Sequence, residues 1–146
     1  YLLGREWPYK NISPKILVEK YIEDDTLSYL IDYKFYAFNG LCDYVRVCYN
    51  QLSENNLDVF FDRNWHMQKD YSNSSLDDAS ISKPQNLDKM FEFAEILSQN
   101  IPFVLISFCE KNGHLYFGSM SFFPESGFDD KINNSFSAYL SSKIKI

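Results

Sequence analysis

Two Asn-Gly pairs, each lying between two apolar runs, constrain the fold of this chain more than any other sequence feature. The pairs are Asn39-Gly40 and Asn112-Gly113. Asn and Gly tolerate the positive φ angles that a two-residue hairpin turn requires. We therefore predict two antiparallel hairpins, with strands over 31–38 and 44–49 and over 103–109 and 114–123. The second hairpin is almost continuously apolar, which predicts burial of both its faces.

A helix is predicted between the two hairpins, over 87–99. The apolar residues that recur there at helical steps of three and four are Leu87, Met90, Phe91, Ala94 and Leu97. Asn86 is the predicted N-cap, and Asp88 lies in the first turn, where the helix dipole favours an anion.

The other predicted elements are shorter. A strand over 15–21 follows Pro14, a short apolar run covers 59–61, and 133–143 forms a terminal helix. Residues 66–85 are polar and rich in serine, which predicts a surface loop. This order predicts an α+β fold, a mainly antiparallel sheet with packed helices. The predicted core includes Phe35, Leu97, Val104, Ile106 and Phe117.

Length and charge exclude several classes of protein. With 146 residues the chain fits one domain, over 1–146. A net charge of −6 lacks the basic surface that nucleic-acid phosphates require, so we expect no nucleic-acid partner. No run approaches the ~20 apolar residues that cross a bilayer, and the N-terminus does not resemble a signal peptide. We therefore expect a cytoplasmic protein without a membrane span.

The chain ends and the cysteines add two expectations. The first residue is Tyr1 rather than Met, so we expect the chain to be the carboxyl-terminal part of a longer protein. Cys42, Cys48 and Cys109 are odd in number and lie in apolar surroundings, which predicts free thiols.

The sequence contains neither a zinc-binding pattern nor a glycine-rich phosphate loop. His66 and His114 are far apart, and neither has a His or Cys partner at zinc spacing. No nucleophile-elbow pattern occurs either. A nucleotide would therefore be held without the common phosphate-binding loops.

An ordered set of segments resembles a known family. The segments are WPYKNISPKILVEKYI, DYKFYAFNG, FFDRNW, KPQNLDKMFEFAEILS, PFVLISF and NGHLYFGSMSFFPESGF. Together, over roughly 7–128, they resemble the TupA-like branch of the ATP-grasp superfamily, which is found among polysaccharide and teichuronopeptide biosynthesis proteins. The resemblance implies the carboxyl-terminal half of an ATP-grasp fold, with ATP as the ligand. It also implies a preceding amino-terminal domain that supplies the substrate site.

The resemblance implies an adenine site at Glu19-Lys20-Tyr21-Ile22, which looks like the interdomain hinge of ATP-grasp enzymes. By analogy, the carbonyl of Lys20 and the amide of Ile22 bind adenine, with Glu19 and Tyr21 beside them. Main-chain groups at a strand end can bind the adenine edge while apolar walls enclose its rings. The alternative for Glu19 is an exposed strand charge.

The resemblance extends to the ribose and the phosphates. Asp24 or Asp25 takes the ribose hydroxyls, and Lys34 corresponds to a basic residue that faces the phosphates. A cation there would stabilise charge during phosphoryl transfer. The alternative for Lys34 is a solvated residue on an alternating strand.

Three positions depart from the family pattern. Ser107 and Ser119 stand where this branch usually has Asp and Glu, and Leu105 stands where it usually has Arg. Magnesium requires anionic oxygen ligands, so we predict no metal site of the family type and expect little role for magnesium. Glu125, Asp129 and Asp130 lie nearby in sequence, either as substitutes or as a solvated acidic loop.

Three hypotheses about function follow from the resemblance. The first is the ATP-binding half of a TupA-like, ligase-type ATP-grasp protein in cell-surface polysaccharide or teichuronopeptide biosynthesis. Such ligases activate a carboxylate as an acyl phosphate for attack by an amine, and the replaced carboxylates leave the activity of this chain open. The second is a divergent, noncatalytic interaction module with the same fold. A glycosyltransferase from a polysaccharide cluster is a third alternative, without a sugar-nucleotide signature to support it.

Overall fold

A five-stranded antiparallel sheet forms the centre of the structure, a computed structural model that describes residues 7–20, 22, 30–49, 57–72, 81–129 and 131–144. The strands are β1 (Asp32–Phe38), β2 (Leu41–Tyr49), β3 (Leu57–Asp62), β4 (Val104–Lys111) and β5 (His114–Ser121), and the helices are α1 (Leu87–Leu97) and α2 (Asn134–Lys143). The order across the sheet is β3-β2-β1-β4-β5. The predicted α+β class is confirmed.

Both predicted hairpins are present, with their turns at the two Asn-Gly pairs. The φ angles are 49° and 83° at Asn39 and Gly40, and 51° and 73° at Asn112 and Gly113. Positive φ at both central residues is typical of the type I′ turn, whose twist matches that of the strands. The turns join β1 to β2 and β4 to β5.

One face of the sheet packs against α1, which lies on β1 and β2. The rings of Phe35 and Phe91 meet edge to face, with centroids 4.9 Å apart. The predicted burial of Phe35, Val104 and Ile106 is confirmed.

Two other core predictions are wrong. Leu97 is 39% exposed because α1 ends there and the fully buried residue is the next one, Ser98. Phe117 is 57% exposed because β5 is an edge strand, away from the strands that α1 covers. The second hairpin is therefore buried on both faces only along β4, whereas most of β5 is exposed.

The opposite face of the sheet packs against α2 through Phe136. This fully buried ring lies 4.2 Å from the Phe60 ring and 5.0 Å from the Tyr36 ring, centroid to centroid. Asn133 fixes the start of α2, since its side-chain oxygen accepts a hydrogen bond from the Phe136 amide at 2.9 Å. The predicted terminal helix is confirmed.

The N-terminal strand prediction is wrong for the described part of 15–21. Residues 15–20 form neither helix nor strand, and Ile16, Leu17 and Val18 are 93%, 83% and 91% exposed. A strand requires a hydrogen-bonded neighbour, and the five strands of the sheet begin only at Asp32. Tyr21 lies outside the described residues.

The start of α1 also differs from the prediction. Asn86 precedes the helix, but its side chain makes no capping hydrogen bond. Its side-chain nitrogen instead donates to the Glu110 carboxylate at 3.0 Å and to the Gly113 carbonyl at 2.8 Å. Glu110 also accepts hydrogen bonds from the amides of Gln85 and Asn86. The helix is thus fixed to the β4-β5 hairpin rather than capped locally.

The predicted surface loop at 66–85 is partly internal. In its described part, Met67 and Ile81 are buried in the cluster beneath α1. The Trp65 indole nitrogen donates to the Ile81 carbonyl at 3.1 Å.

Among the described residues, no helix is both long enough and apolar enough to cross a membrane.

Candidate functional site

The face of the sheet opposite α1 carries the polar residues of the candidate site. Lys34 of β1 pairs with Ser107 of β4, and Ser107 pairs with Ser119 of β5. Residues directly opposite one another in an antiparallel sheet point to the same side. The fold therefore brings these three residues, far apart in sequence, into one row.

A cavity of about 700 Å³, here called the hinge cavity, lies at one end of this row. Glu19, Lys20 and Ile22 line it together with Ser107 and Ser119. Three of the predicted adenine-binding residues thus lie at the same cavity as the two serines. The remaining predicted residues of this segment, Tyr21, Asp24 and Asp25, lie outside the described part of the chain.

The hinge cavity also has aromatic and thiol walls that the sequence did not predict. Phe108, Tyr116 and Phe117 line it, and the last two are exposed. Such rings can cover a flat ligand on one face. Cys109 lines it as a free, half-buried thiol. Burial, with the nearby Asp32 carboxylate, raises the pKa of this thiol, which keeps it neutral at neutral pH.

Ser107 and Ser119 bind each other across the β4-β5 pair. Their hydroxyl oxygens are 3.0 Å apart, and the Ser119 amide donates to the Ser107 hydroxyl at 2.9 Å. Leu105, the third residue that departs from the family pattern, is buried with Tyr36 in the apolar cluster around Phe136 of α2. All three positions therefore carry uncharged side chains, and each of these side chains contacts another residue of the protein.

Lys34 lies beside the hinge cavity rather than in its lining. Its ammonium nitrogen is 3.7 Å from the carboxylate of Asp32, which does line that cavity. Lys34 lines a neighbouring cavity of about 150 Å³, here called the middle cavity, together with Arg46 and Glu125. The Asp32 carboxylate thus partly balances the charge of Lys34, which lies close to both the hinge cavity and the middle cavity.

Arg46 is the main polar residue that sequence reasoning missed. It is buried, and its Nε donates to Asp58 at 3.0 Å while its Nη1 donates to Asp129 at 2.6 Å and to the Tyr36 hydroxyl at 3.1 Å. Burial acts to raise the pKa of Asp58, but the hydrogen bonds from Arg46 and Cys48, together with the positive charges of Arg46 and Lys131, lower it overall. The available signal was a lone arginine inside the apolar run YVRVCY.

The residues present do not fit the magnesium site of ATP-grasp proteins. A hard divalent cation requires several anionic oxygens, whereas Ser107 and Ser119 offer hydroxyls that already bind each other. Asp129 is held by Arg46. In the part of the chain that the structure describes, no group of three or more His, Cys, Asp or Glu residues is placed to hold a metal ion. Asp130 lies outside that part.

Comparison with known proteins identifies the family of this chain. No curated protein and no solved structure matches the chain. The family model described as TupA-like ATPgrasp matches residues 1–145, essentially the whole length. ATP-grasp proteins generally bind ATP and magnesium. Since the family model covers nearly every residue, including both hairpins and the hinge segment, the chain belongs to the TupA-like ATP-grasp family.

Proposed function

We propose that this chain binds an adenine nucleotide in the hinge cavity. One observation carries the proposal: Glu19, Lys20 and Ile22 converge on the same cavity as Ser107 and Ser119, although more than half of the chain separates the two groups. The cavity, at about 700 Å³, lies within the usual size range of small-molecule sites.

In this proposal, the adenine edge binds the carbonyl of Lys20 and the amide of Ile22. Tyr116 and Phe117 cover the rings, and Asp24 or Asp25 takes the ribose hydroxyls. The phosphates extend along the row of Ser107 and Lys34, where the serine hydroxyl hydrogen that the Ser107–Ser119 bond leaves free donates to them and the lysine supplies positive charge.

The proposed biological role follows from the family. The chain would be the nucleotide-binding, carboxyl-terminal half of a ligase-type protein in cell-surface polysaccharide or teichuronopeptide biosynthesis. A preceding domain would supply the acceptor site and a further phosphate-binding lysine.

A second candidate function is nucleotide binding without turnover, as a noncatalytic module of the same assembly. The hydrogen-bonded serine pair favours it, because two neutral hydroxyls replace the carboxylates that would bridge a metal to the phosphates. Buried Leu105 adds to this argument, since it replaces a cation.

Amide NMR during an ATP titration tests the binding site. We expect the signals of residues 19–22 and of β5 to move at up to millimolar ATP. Phe117→Ala should weaken binding because Phe117 lines the hinge cavity, whereas Phe123→Ala, another exposed phenylalanine that does not line it, should not. Shifts confined to residues 125–130, or equal effects of both substitutions, would contradict the proposal.

Calorimetric titration with and without magnesium separates the two candidate functions. We expect ATP affinity in the natural protein to change little with magnesium, and ATP turnover to be negligible. The double substitution Ser107→Asp and Ser119→Glu should create magnesium-dependent affinity. Strong magnesium dependence in the natural protein would show that other groups hold the metal and would favour the ligase.

A further inference from the structure

A second large cavity, of about 610 Å³, lies beside α2 on the same face of the sheet. We call it the α2 cavity. Its walls are mainly apolar and include Phe103, Phe122 and Leu140; the polar lining residues are Tyr36, Asp129, Asn134 and Ser137. Asp129 is the one charged residue among the described lining residues, and Arg46 already binds it. This lining suits an uncharged ligand and not a polyphosphate.

The α2 cavity lies in line with the hinge cavity along β1. Asp32 lines the hinge cavity, Lys34 the middle cavity and Tyr36 the α2 cavity. Alternate residues of a strand share a face, so these three spaces follow one another over about 13 Å. The α2 cavity is therefore distinct from the proposed nucleotide site.

The hydroxyl of Tyr36 provides a second, independent sign of a ligand. Tyr36 is only 2% exposed, and its oxygen accepts a hydrogen bond from Arg46 at 3.1 Å. Its own O–H hydrogen has no acceptor among the described residues, where Arg46 is the one hydrogen-bond partner of this hydroxyl. Burial raises the pKa of this phenol, although Arg46 acts to lower it, so the hydrogen stays in place at neutral pH. The hydroxyl is thus paired only as an acceptor, and a buried donor that lacks an acceptor costs free energy.

We propose that the α2 cavity binds an uncharged organic molecule with a ring-containing apolar body and one oxygen acceptor, which takes the Tyr36 hydroxyl hydrogen. The aromatic wall residues contact the apolar body. The inference does not rest on nucleotide binding, because none of the hinge residues lines this cavity.

Methyl NMR of the full chain tests the proposal with two probes of nearly equal size, benzophenone and diphenylmethane. Only benzophenone carries an oxygen acceptor. We expect both to shift the methyl signals of Ile101, Ile132 and Leu140, which line the cavity, and benzophenone to bind about 2- to 10-fold more tightly. In Tyr36→Phe this preference should disappear.

A matched pair of variants keeps the test independent of Tyr36. Ser137 lines the α2 cavity and Ser135 does not, yet both are exposed residues of α2. Ser137→Trp should abolish the methyl shifts, and Ser135→Trp should preserve them. No shifts in the natural protein, or equal responses from the two tryptophan variants, would overturn the site. Equal affinity of the two probes would overturn the role of Tyr36.

Discussion

Gly118 and Ser107 are packed so closely that residue 118 has no room for a side chain. A Cβ atom there would lie 2.4 Å from the Ser107 hydroxyl oxygen and 3.2 Å from the Ser107 carbonyl oxygen. That hydroxyl also accepts a hydrogen bond from the Ser119 amide, so turning it away would leave the amide unpaired. A register shift in the β4-β5 pair begins at the same serine. The wall of the hinge cavity is therefore fixed by backbone geometry.

Gly118→Ala is expected to lower the free energy of unfolding by about 1–3 kcal/mol, because the added methyl group overpacks the strand pair. Ser107→Ala removes the clashing oxygen. The glycine substitution should then cost less in the Ser107→Ala background than in the natural protein. Urea unfolding of both single variants and the double variant measures this coupling. Strictly additive costs would contradict the close contact.

The Arg46–Asp58 pair predicts acid sensitivity. The pKa of Asp58 is lower in the folded protein than the ordinary value of about 4, so the folded state binds fewer protons as the pH falls. The stability from this pair is present above about pH 4 and is lost as the pH falls through the lower, folded-state pKa.

Asp58→Asn is expected to cost about 1.5–3 kcal/mol at pH 7, since it weakens a charged hydrogen bond of a buried arginine. The difference in stability from the natural protein should shrink below about pH 4. Urea unfolding at a series of pH values measures this difference. Asp62→Asn, a change at a more exposed carboxylate of the same strand, serves as a comparison. A difference in stability that stays constant down to pH 2 would show that ionisation of Asp58 does not contribute to the stability of the fold.

At the scale of elements, α1 shows what decides whether an apolar helix residue is buried. Leu87, Met90, Phe91 and Ala94 are buried at the expected helical steps. Leu97 continues the period in sequence, but the helix ends there and Ser98 takes the buried position. The end of the helix, which a pattern of apolar residues does not specify, therefore determines the exposure of Leu97.

Truncation of two α1 residues should give very different results. Phe91→Ala is expected to cost about 3–5 kcal/mol, because it empties a buried site against Phe35. Leu97→Ala should cost less than about 1.5 kcal/mol, since the leucine is already partly in water. The shift of the urea unfolding midpoint measures both losses of stability, provided that the dependence of the unfolding free energy on urea is the same for each variant. Equal losses would mean that Leu97 is more buried than the structure indicates.

At the scale of the whole molecule, the hairpins and helices were predictable because they rest on local signals. Asn-Gly turns and helical periodicity act over a few residues, and both gave the right elements. Contacts between distant segments were not predictable in this way. The hydrogen bond from the Asn86 amide to Glu110 and the ion pairs of Arg46 with Asp58 and Asp129 depend on how the strands are arranged in the sheet. The exposed segment 15–20 was misjudged for the same reason, since an apolar run does not reveal whether a neighbouring strand exists.

The candidate site shows the same division between local and long-range information. The family pattern indicated residues 19–22 and the two serines separately. The structure brings both groups to one cavity, because the β4-β5 hairpin that carries the serines lies at one edge of the sheet. The aromatic walls at Tyr116 and Phe117 depend on β5 being an edge strand, which the sequence predicted as buried.

The two faces of the sheet are expected to unfold together, because they share the same strands. Phe35 and Tyr36 are neighbours in β1, yet one packs against α1 and the other against Phe136 of α2. Phe136→Ala should cost about 3–5 kcal/mol by emptying the α2 side. Trp65 stacks on Phe61 in the cluster beneath α1, on the other face of the sheet. The substitution should shift the urea midpoint of Trp65 fluorescence by as much as it shifts the midpoint measured by far-ultraviolet circular dichroism. A Trp7→Phe background assigns the fluorescence to Trp65. An unchanged Trp65 transition beside a shifted circular-dichroism transition would show two separate units rather than one cooperative domain.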